Sequence, residues 1–131
     1  MEEKRFMEEQ LALEPKRLHL FSASAIHRKT GWIKEILGAL GPKVYVSLDL
    51  DALDPSIAPH TGTPEPGGLT WREVCDLLAA VGAEKTVVGF DVVELAPGDG
   101  SRVSEFTAAR LAMRLIGHAV SPGANASGPP F

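Results

Sequence analysis

Cysteine is nearly absent from this sequence. Cys75 is the only one, so no internal disulfide can form and no zinc cluster built from several thiolates is available. A reducing cytoplasm is the expected location. Also lacking is any apolar run near the ~20 residues that a membrane span requires. The opening MEEKRFMEEQ is acidic where a secretory signal would be basic and then apolar. A soluble, unsecreted protein with no membrane partner is expected. Surplus positive charge is missing too: 13 Lys and Arg stand against 17 Asp and Glu, a formal net charge of −4. Scattered in this way, the basic residues cannot make the dense surface that phosphate backbones need, which argues against nucleic acid. A small polar or cationic ligand suits the balance better. What is present is enough apolar content, 44% of 131 residues, to build the core of one domain.

The order of elements follows from periodicity and punctuation. Residues 2–13 are rich in Glu, Lys, Gln and Leu and read as a helix ending before Pro15, and 17–21 alternate weakly as a short strand. The stretch SASAIHRKT reads as a polar loop. Thr30 offers an N-cap to a helix with Ile33, Ile36, Leu37 and Leu40 on one face, stopped by Gly41 and Pro42. Val44 to Asp49 is β-branched and almost continuously apolar, as a parallel strand covered on both faces would be. Four prolines and three glycines between Asp51 and Gly68 exclude regular structure there, and the carboxylates among them mark a long ordered loop. Thr70 and Glu73 form a capping box ahead of a stripe of Trp71, Val74, Leu77, Leu78 and Val81, which Gly82 is expected to close. Thr86 to Leu95 is a second apolar strand. Residues 101–119 read as a last helix with Arg110, Arg114 and His118 on one polar strip, before a tail, 121–131, expected to be disordered.

Strand, helix, strand, helix implies a parallel sheet with right-handed crossovers: an α/β fold of three α/β/α layers. Ligands in such sheets gather beyond the carboxyl ends of the strands, where both strong strands carry acids. Asp49 and Asp51 close the first and Glu94 the second. On an extended backbone Asp49 and Asp51 share a side, so their oxygens can converge. Like charges at that range raise one another's pKa unless a cation compensates, and carboxylates with water suit Mg²⁺, Ca²⁺ or Mn²⁺. A bare Asp-x-Asp is also common in loops whose acids cap turns or face solvent, so spacing alone leaves both readings open.

The longer string SLDLDALDPSIAPHTGTPEPGG resembles the signature of the ureohydrolases, the arginase and agmatinase family. Ser47, Asp49, Asp51, Asp54, Pro55, Pro59, Gly62, Thr63, Pro64, Gly67 and Gly68 all fit its pattern, and GFDVVEL matches a second family segment downstream. The resemblance implies an arginase-like fold, with residues 1–120 forming the C-terminal part of a ureohydrolase domain. It implies Mn²⁺-dependent hydrolysis of a guanidino compound with release of urea. Asp49 and Asp51 match the family's metal-binding aspartates, and Glu94 matches the acid that pairs with the substrate guanidinium. Thr63 would lend a contact near the substrate or pack the loop. Asp54 reads as a turn residue, Asp91 as a hydrogen-bonding support within the strand, and Gly67 and Gly68 as backbone geometry. His60 reads as a solvent-exposed loop residue, with lining the site as the alternative, and His118 as a surface or helix C-terminal residue.

The family's other ligands come from a Gly-Gly-Asp-His motif and an Asp-x-His-x-Asp motif, and neither occurs in these 131 residues. Two ions cannot be held by two aspartates. The expectation is therefore a C-terminal portion, incomplete for catalysis alone, that forms a homo-oligomer or meets a partner chain supplying the missing half. The alternative is a non-catalytic module that assembles with a partner. GTPEPGG and FDVVE look more like agmatinases than arginases, while the substrate stays open between agmatine, arginine and other guanidino or formimino compounds.

Overall fold

A computed structural model describes residues 18–98 and 100–120, so the expected helix over 2–13 and the tail 121–131 lie outside the described residues. The chain divides into two compact units, one up to Thr30 and one from Gly31 onward.

In the first unit, residues 18–21 form no strand, against expectation. Their alternation is weak, and among the described residues no strand pairs with them. The polar stretch that follows is not all loop. Ser22 accepts a hydrogen bond from the Ala25 N–H at 3.3 Å and caps a short helix, α1 (Ala23–Ile26). A serine ahead of two alanines has a local hydrogen-bonding solution at hand.

The second unit opens with α2 (Trp32–Ala39). Its N-cap is Gly31 at φ 79°, not Thr30 as expected. Glycine takes that left-handed conformation without steric penalty, and the chain enters the helix through it. The helix stops at Leu40, ahead of Gly41 and Pro42 as the sequence indicates.

Strands β1 (Lys43–Asp49) and β2 (Thr86–Val93) pair in parallel. Between them runs α3 (Trp71–Glu84), and after them α4 (Val103–Val120). The capping box forms: the Thr70 hydroxyl accepts from the Glu73 N–H at 3.3 Å, and the Glu73 carboxylate accepts from the Thr70 N–H at 2.8 Å. Such a box satisfies two helix-end donors at once.

All three helices of this unit pack on one face of the sheet. Leu48 of β1 lies with Val74, Cys75 and Leu78 of α3 and Ala108, Leu111 and Leu115 of α4, while Val44 and Val87 lie with Leu37 of α2 and Val81 of α3. The opposite face carries Tyr45, Ser47 and Asp49, all exposed, so β1 alternates where its composition suggested cover on both sides. A phenol, a hydroxyl and a carboxylate make that face wettable.

The two strands differ in length by one residue, and an irregularity between Val44 and Tyr45 absorbs it: Val44 pairs with Val87 but Tyr45 with Gly89. Val88 is the extra residue of a bulge and is 61% exposed. The Tyr45 ring then lies over Gly89, where a Cβ would stand 2.9 Å from Cε2.

Two helix readings change. Gly82 does not close α3, which continues to Glu84. It is the floor on which His118 of α4 rests, since a Cβ there would lie 2.3 Å from His118 Nδ1. His118 is accordingly only 7% exposed rather than a surface residue. Burial and the neighbouring Arg114 charge both push its pKa below the usual imidazole value. Arg114 lies over the Trp71 ring, 5.7 Å from its centroid. Among the described residues, no helix is long and apolar enough to cross a membrane.

Candidate functional site

The loop between β1 and α3 is a packed structure, which is why it can position side chains. Leu50, Leu53 and Ala58 are at most 1% exposed and enter the core beneath it. Its two ends are tied together: the Asp54 N–H donates to Leu69 O at 3.0 Å and the Leu69 N–H to Ala52 O at 2.8 Å. Gly68 passes so close that a Cβ would stand 2.5 Å from the Leu53 carbonyl carbon. Asp54 is a turn residue as expected. Its carboxylate accepts from the Ser56 N–H at 2.9 Å and from the Gly67 N–H at 3.0 Å, spanning the loop. Helix α4 holds the middle of the loop by two hydroxyls. Ser104 accepts from the His60 N–H at 2.8 Å, and Thr107 donates to Ile57 O at 2.7 Å.

The acids stand at the rim of this scaffold. Asp49 is the last residue of β1, but the chain turns at once into a 3₁₀ turn, Leu50–Ala52, so Asp51 is not on an extended backbone. The Asp49 carboxylate accepts from the Asp51 N–H at 2.8 Å and caps that turn. Asp51 accepts the Thr63 hydroxyl at 2.5 Å and the Thr63 N–H at 3.4 Å. The Thr61 and Thr63 hydroxyls together hold its carboxyl below the usual carboxylate range. Of the two, only Thr63 makes a well-formed hydrogen bond. The Thr61 hydroxyl is buried without a hydrogen-bond partner among the described residues.

Glu94 follows the last residue of β2 in the left-handed region, at φ 62°. A glutamate there is strained by about 1–3 kcal/mol, a cost that surrounding contacts must offset. Those contacts lie on either side of the turn's partner segment: Thr61 bridges Leu95 in antiparallel fashion, and the Ala96 N–H donates to His60 O at 3.1 Å. The turn brings the carboxylate over Gly62, whose missing Cβ would lie 3.3 Å from Glu94 Oε2. The segment Thr61–Thr63 therefore touches both strand ends, Thr63 at Asp51 and Gly62 beneath Glu94. This is the structural link between the two clusters of acid, and the spacing of the acids alone did not reveal it. The signal that could have found it was Gly-Thr flanked by threonine within reach of both strand ends.

Asp91 accepts from the Ser47 hydroxyl at 2.7 Å and the Tyr45 hydroxyl at 2.9 Å on the open face of the sheet. These bonds match its reading as a hydrogen-bonding support. His60 is half-buried rather than solvent-exposed, and its Nδ1 is buried without a partner among the described residues. The hydrogen bonds at its N–H and carbonyl fix its backbone within the packed loop.

Asp49 and Asp51 offer hard oxygen donors of the kind that suit Mn²⁺, Mg²⁺ or Ca²⁺. Among the described residues, no three His, Cys, Asp or Glu side chains are grouped to hold an ion. The donor type fits a divalent ion and the donor number falls short of a complete site.

Comparison with known proteins gives this arrangement relatives. The family model described as the arginase family matches residues 2–117. The N(1)-aminopropylagmatine ureohydrolase of Thermus thermophilus is 56% identical over 102 residues, which are 78% of this chain and 34% of that protein. The agmatinase of Chromobacterium violaceum is 44% identical over 86 residues, 64% of this chain and 26% of that one. Among solved structures, the proclavaminate amidino hydrolase from Streptomyces clavuligerus superposes with a TM-score of 0.68 at 39% identity, covering 74% of this chain and 33% of its own. The arginase from Bacillus caldovelox gives 0.74 at 30% identity, covering 88% and 38%. The parallel α/β architecture is thus an arginase-like one, and the chain spans about a third of the length of the curated relatives it matches.

Proposed function

The chain belongs to the arginase family, and from that premise we propose that it carries the carboxylate edge of a ureohydrolase site, acting on an agmatine-like or arginine-like guanidino compound and releasing urea. The observation that carries this reading is the Thr61–Thr63 segment, which couples Asp51 to Glu94 through Thr63 and Gly62. Glu94 is the group for the guanidinium. A guanidinium is a planar fork of donors, and a carboxylate accepts two parallel bonds from it. The strained turn and the contacts that hold it fix where that carboxylate points before any ligand arrives, which is what orientation of a reacting carbon requires.

Asp49 and Asp51 are the oxygen ligands that this chain contributes to manganese, with the remaining ligands coming from residues outside these 131. Thr63 acts as a positioning residue: its hydroxyl holds the Asp51 carboxylate ionised and aimed. With one buried cysteine, the chain suits a reducing cytoplasm.

The test combines Mn²⁺ titration calorimetry with urea release from agmatine and arginine. We expect weak Mn²⁺ binding that Asp51→Asn abolishes, and no robust urea release by the pure chain. Robust turnover would show the residues here to be sufficient and overturn the partial-site reading. Mn²⁺ binding indifferent to Asp51→Asn would overturn the metal assignment.

A second reading, a non-catalytic module that assembles with a partner, is favoured by apolar surface left uncovered. Tyr45 and Val88 are each 61% exposed on the sheet, and Phe106 and Met113 are 69% and 65% exposed on α4.

A further inference from the structure

Helix α4 is apolar on two sides, and only one of them meets the rest of the molecule. Thr107, Ala108, Leu111 and Leu115 are buried against α3 and the sheet or beneath the loop. Roughly 140° around the helix, at 3.6 residues per turn, Val103, Phe106, Met113 and Val120 are 46%, 69%, 65% and 76% exposed. With Arg110 and Gly117 they complete a run spaced 3, 4, 3, 4, 3 over the whole helix. That is the spacing of a coiled-coil seam, in which a 3.5-residue average keeps one stripe facing a neighbouring helix. The shape asks for a helix rather than a loop or a strand.

The area is of the right size for a pair. Together with Ile116, 44% exposed, these side chains present on the order of 500 Å² of apolar surface, near the upper end of what a monomer carries. Doubled in a symmetric contact, this reaches the roughly 1,000 Å² at which a specific interface begins.

We propose that this seam is the contact between two copies of the chain, with the α4 helices antiparallel. The sequence of the seam selects both the partner and the direction. About a two-fold axis at the middle of the helix, Phe106 of one copy meets Gly117 of the other, so the largest side chain of the stripe enters its one notch. Val103 meets Val120, and Arg110 lies along Met113. A parallel pair would set Phe106 on Phe106, Arg110 on Arg110 and Gly117 on Gly117, crowding one layer, repelling a second and leaving a third void. Arg110 need not burden the seam. It borders a cleft of about 270 Å³ that Ile57, Trp71, Val103 and Phe106 also line, and a long arginine can lay its apolar stem along such a surface while its charge stays in water. Two-fold association of this kind is isologous and closes without growing into a filament. The inference rests on α4 alone and not on the guanidino-hydrolase reading.

Sedimentation velocity of the full chain tests it. A reversible dimer of twice the 14.0 kDa chain mass is expected at micromolar concentration. Phe106→Asp should weaken it by about 30-fold or more, as removal of a large aromatic anchor does. Gly117→Leu should weaken it as well, by filling the notch, although leucine favours the helix. Circular dichroism should show both variants to retain their helices, and Val88→Asp on the open sheet face should leave the dimer unchanged. Direction is read by cross-linking in a Cys75→Ser background, where copies carrying Phe106→Cys should join copies carrying Gly117→Cys. A monomer at every concentration, a dimer insensitive to both α4 variants, or one abolished by Val88→Asp would overturn the proposal. Phe106→Cys copies that join only one another would overturn the antiparallel arrangement.

Discussion

The two faces of the β1–β2 sheet hold themselves in different ways. On the covered face, Val44, Leu48 and Val87 are packed by three helices, and the contacts are apolar and tight. On the open face, Tyr45, Ser47 and Asp91 are joined by two hydrogen bonds in full view of water. Burial of an apolar side chain contributes a few kcal/mol, whereas a hydrogen bond exposed to solvent exchanges one partner for another at little net gain. The covered face accounts for stability. The open face fixes orientation, keeping Asp91 in one place within a strand whose neighbours are apolar.

The contrast is sharpest at Leu111, which has no solvent exposure and lies at the centre of the larger core cluster. Leu111→Ala should lower the unfolding free energy in urea by about 2–5 kcal/mol, the transfer term plus the cavity left behind. A loss under ~1 kcal/mol would mean that the core relaxes around the deletion.

A smaller effect is expected where the covered face contains a polar group. Gly82→Ala places a methyl group against the His118 ring and should cost about 1–3 kcal/mol by overpacking. The same contact makes stability depend on pH. His118 is harder to protonate in the folded chain than in the unfolded one. The unfolded state therefore binds the proton first, and stability, full above the unfolded imidazole pKa of about 6.5, falls as pH drops through that value toward the lower folded one. A His118→Gln variant should flatten this part of the curve, and an unchanged pH profile would place the proton uptake elsewhere.

The open face should give the smallest response and the most specific one. Tyr45 is the only tyrosine, and its hydrogen bond to Asp91 holds the phenol above its usual pKa of 10.0. Because the folded state keeps that proton longer, any contribution to stability is complete below the unfolded pKa and is lost as pH rises past it. Ultraviolet titration of the phenolate should show the midpoint return toward 10.0 in Asp91→Asn, with urea midpoints little changed. A large loss of stability in that variant would make the two faces alike.

Much of the covered face was legible in the sequence because its signals are local and periodic. Thr70 and Glu73 announced α3, the apolar run 44–48 announced β1, and Gly41–Pro42 marked where α2 ends. The failures share a cause, which is that the deciding neighbour is distant in sequence. Gly82 looks like a helix terminator until His118 is seen resting on it. His118 looks like a surface residue on a strip with Arg110 and Arg114 for the same reason. Gly31 took the capping position from Thr30 because the entry into α2 requires a positive φ.

At the strand ends, the presence of acids was legible and their arrangement was not. Asp49, Asp51 and Glu94 declared themselves by type and place. No propensity foretells that Asp51 leaves the strand in a 3₁₀ turn, that Glu94 takes φ 62°, or that Thr61–Thr63 joins the two. Those features arise from a loop anchored by Leu50, Leu53 and Ala58 beneath and by the hydroxyls of Ser104 and Thr107 alongside.

The extra residue Val88 works as a gauge. Were it paired in the ladder instead of bulged out, Tyr45 would stand opposite Val88 and Asp49 opposite Val92 instead of Val93. Glu94 would then overshoot the rim by one further step, about 3.3 Å along the strand, and its side chain would leave from the other side of the sheet. Absorbing one residue near the start of the ladder, some 15–20 Å from the acids at that rise per residue, lets two strands of unequal length finish level. The reach of Thr61–Thr63 across both ends is thus measured out at the far end of the sheet, by a valine that touches none of the acids it aligns.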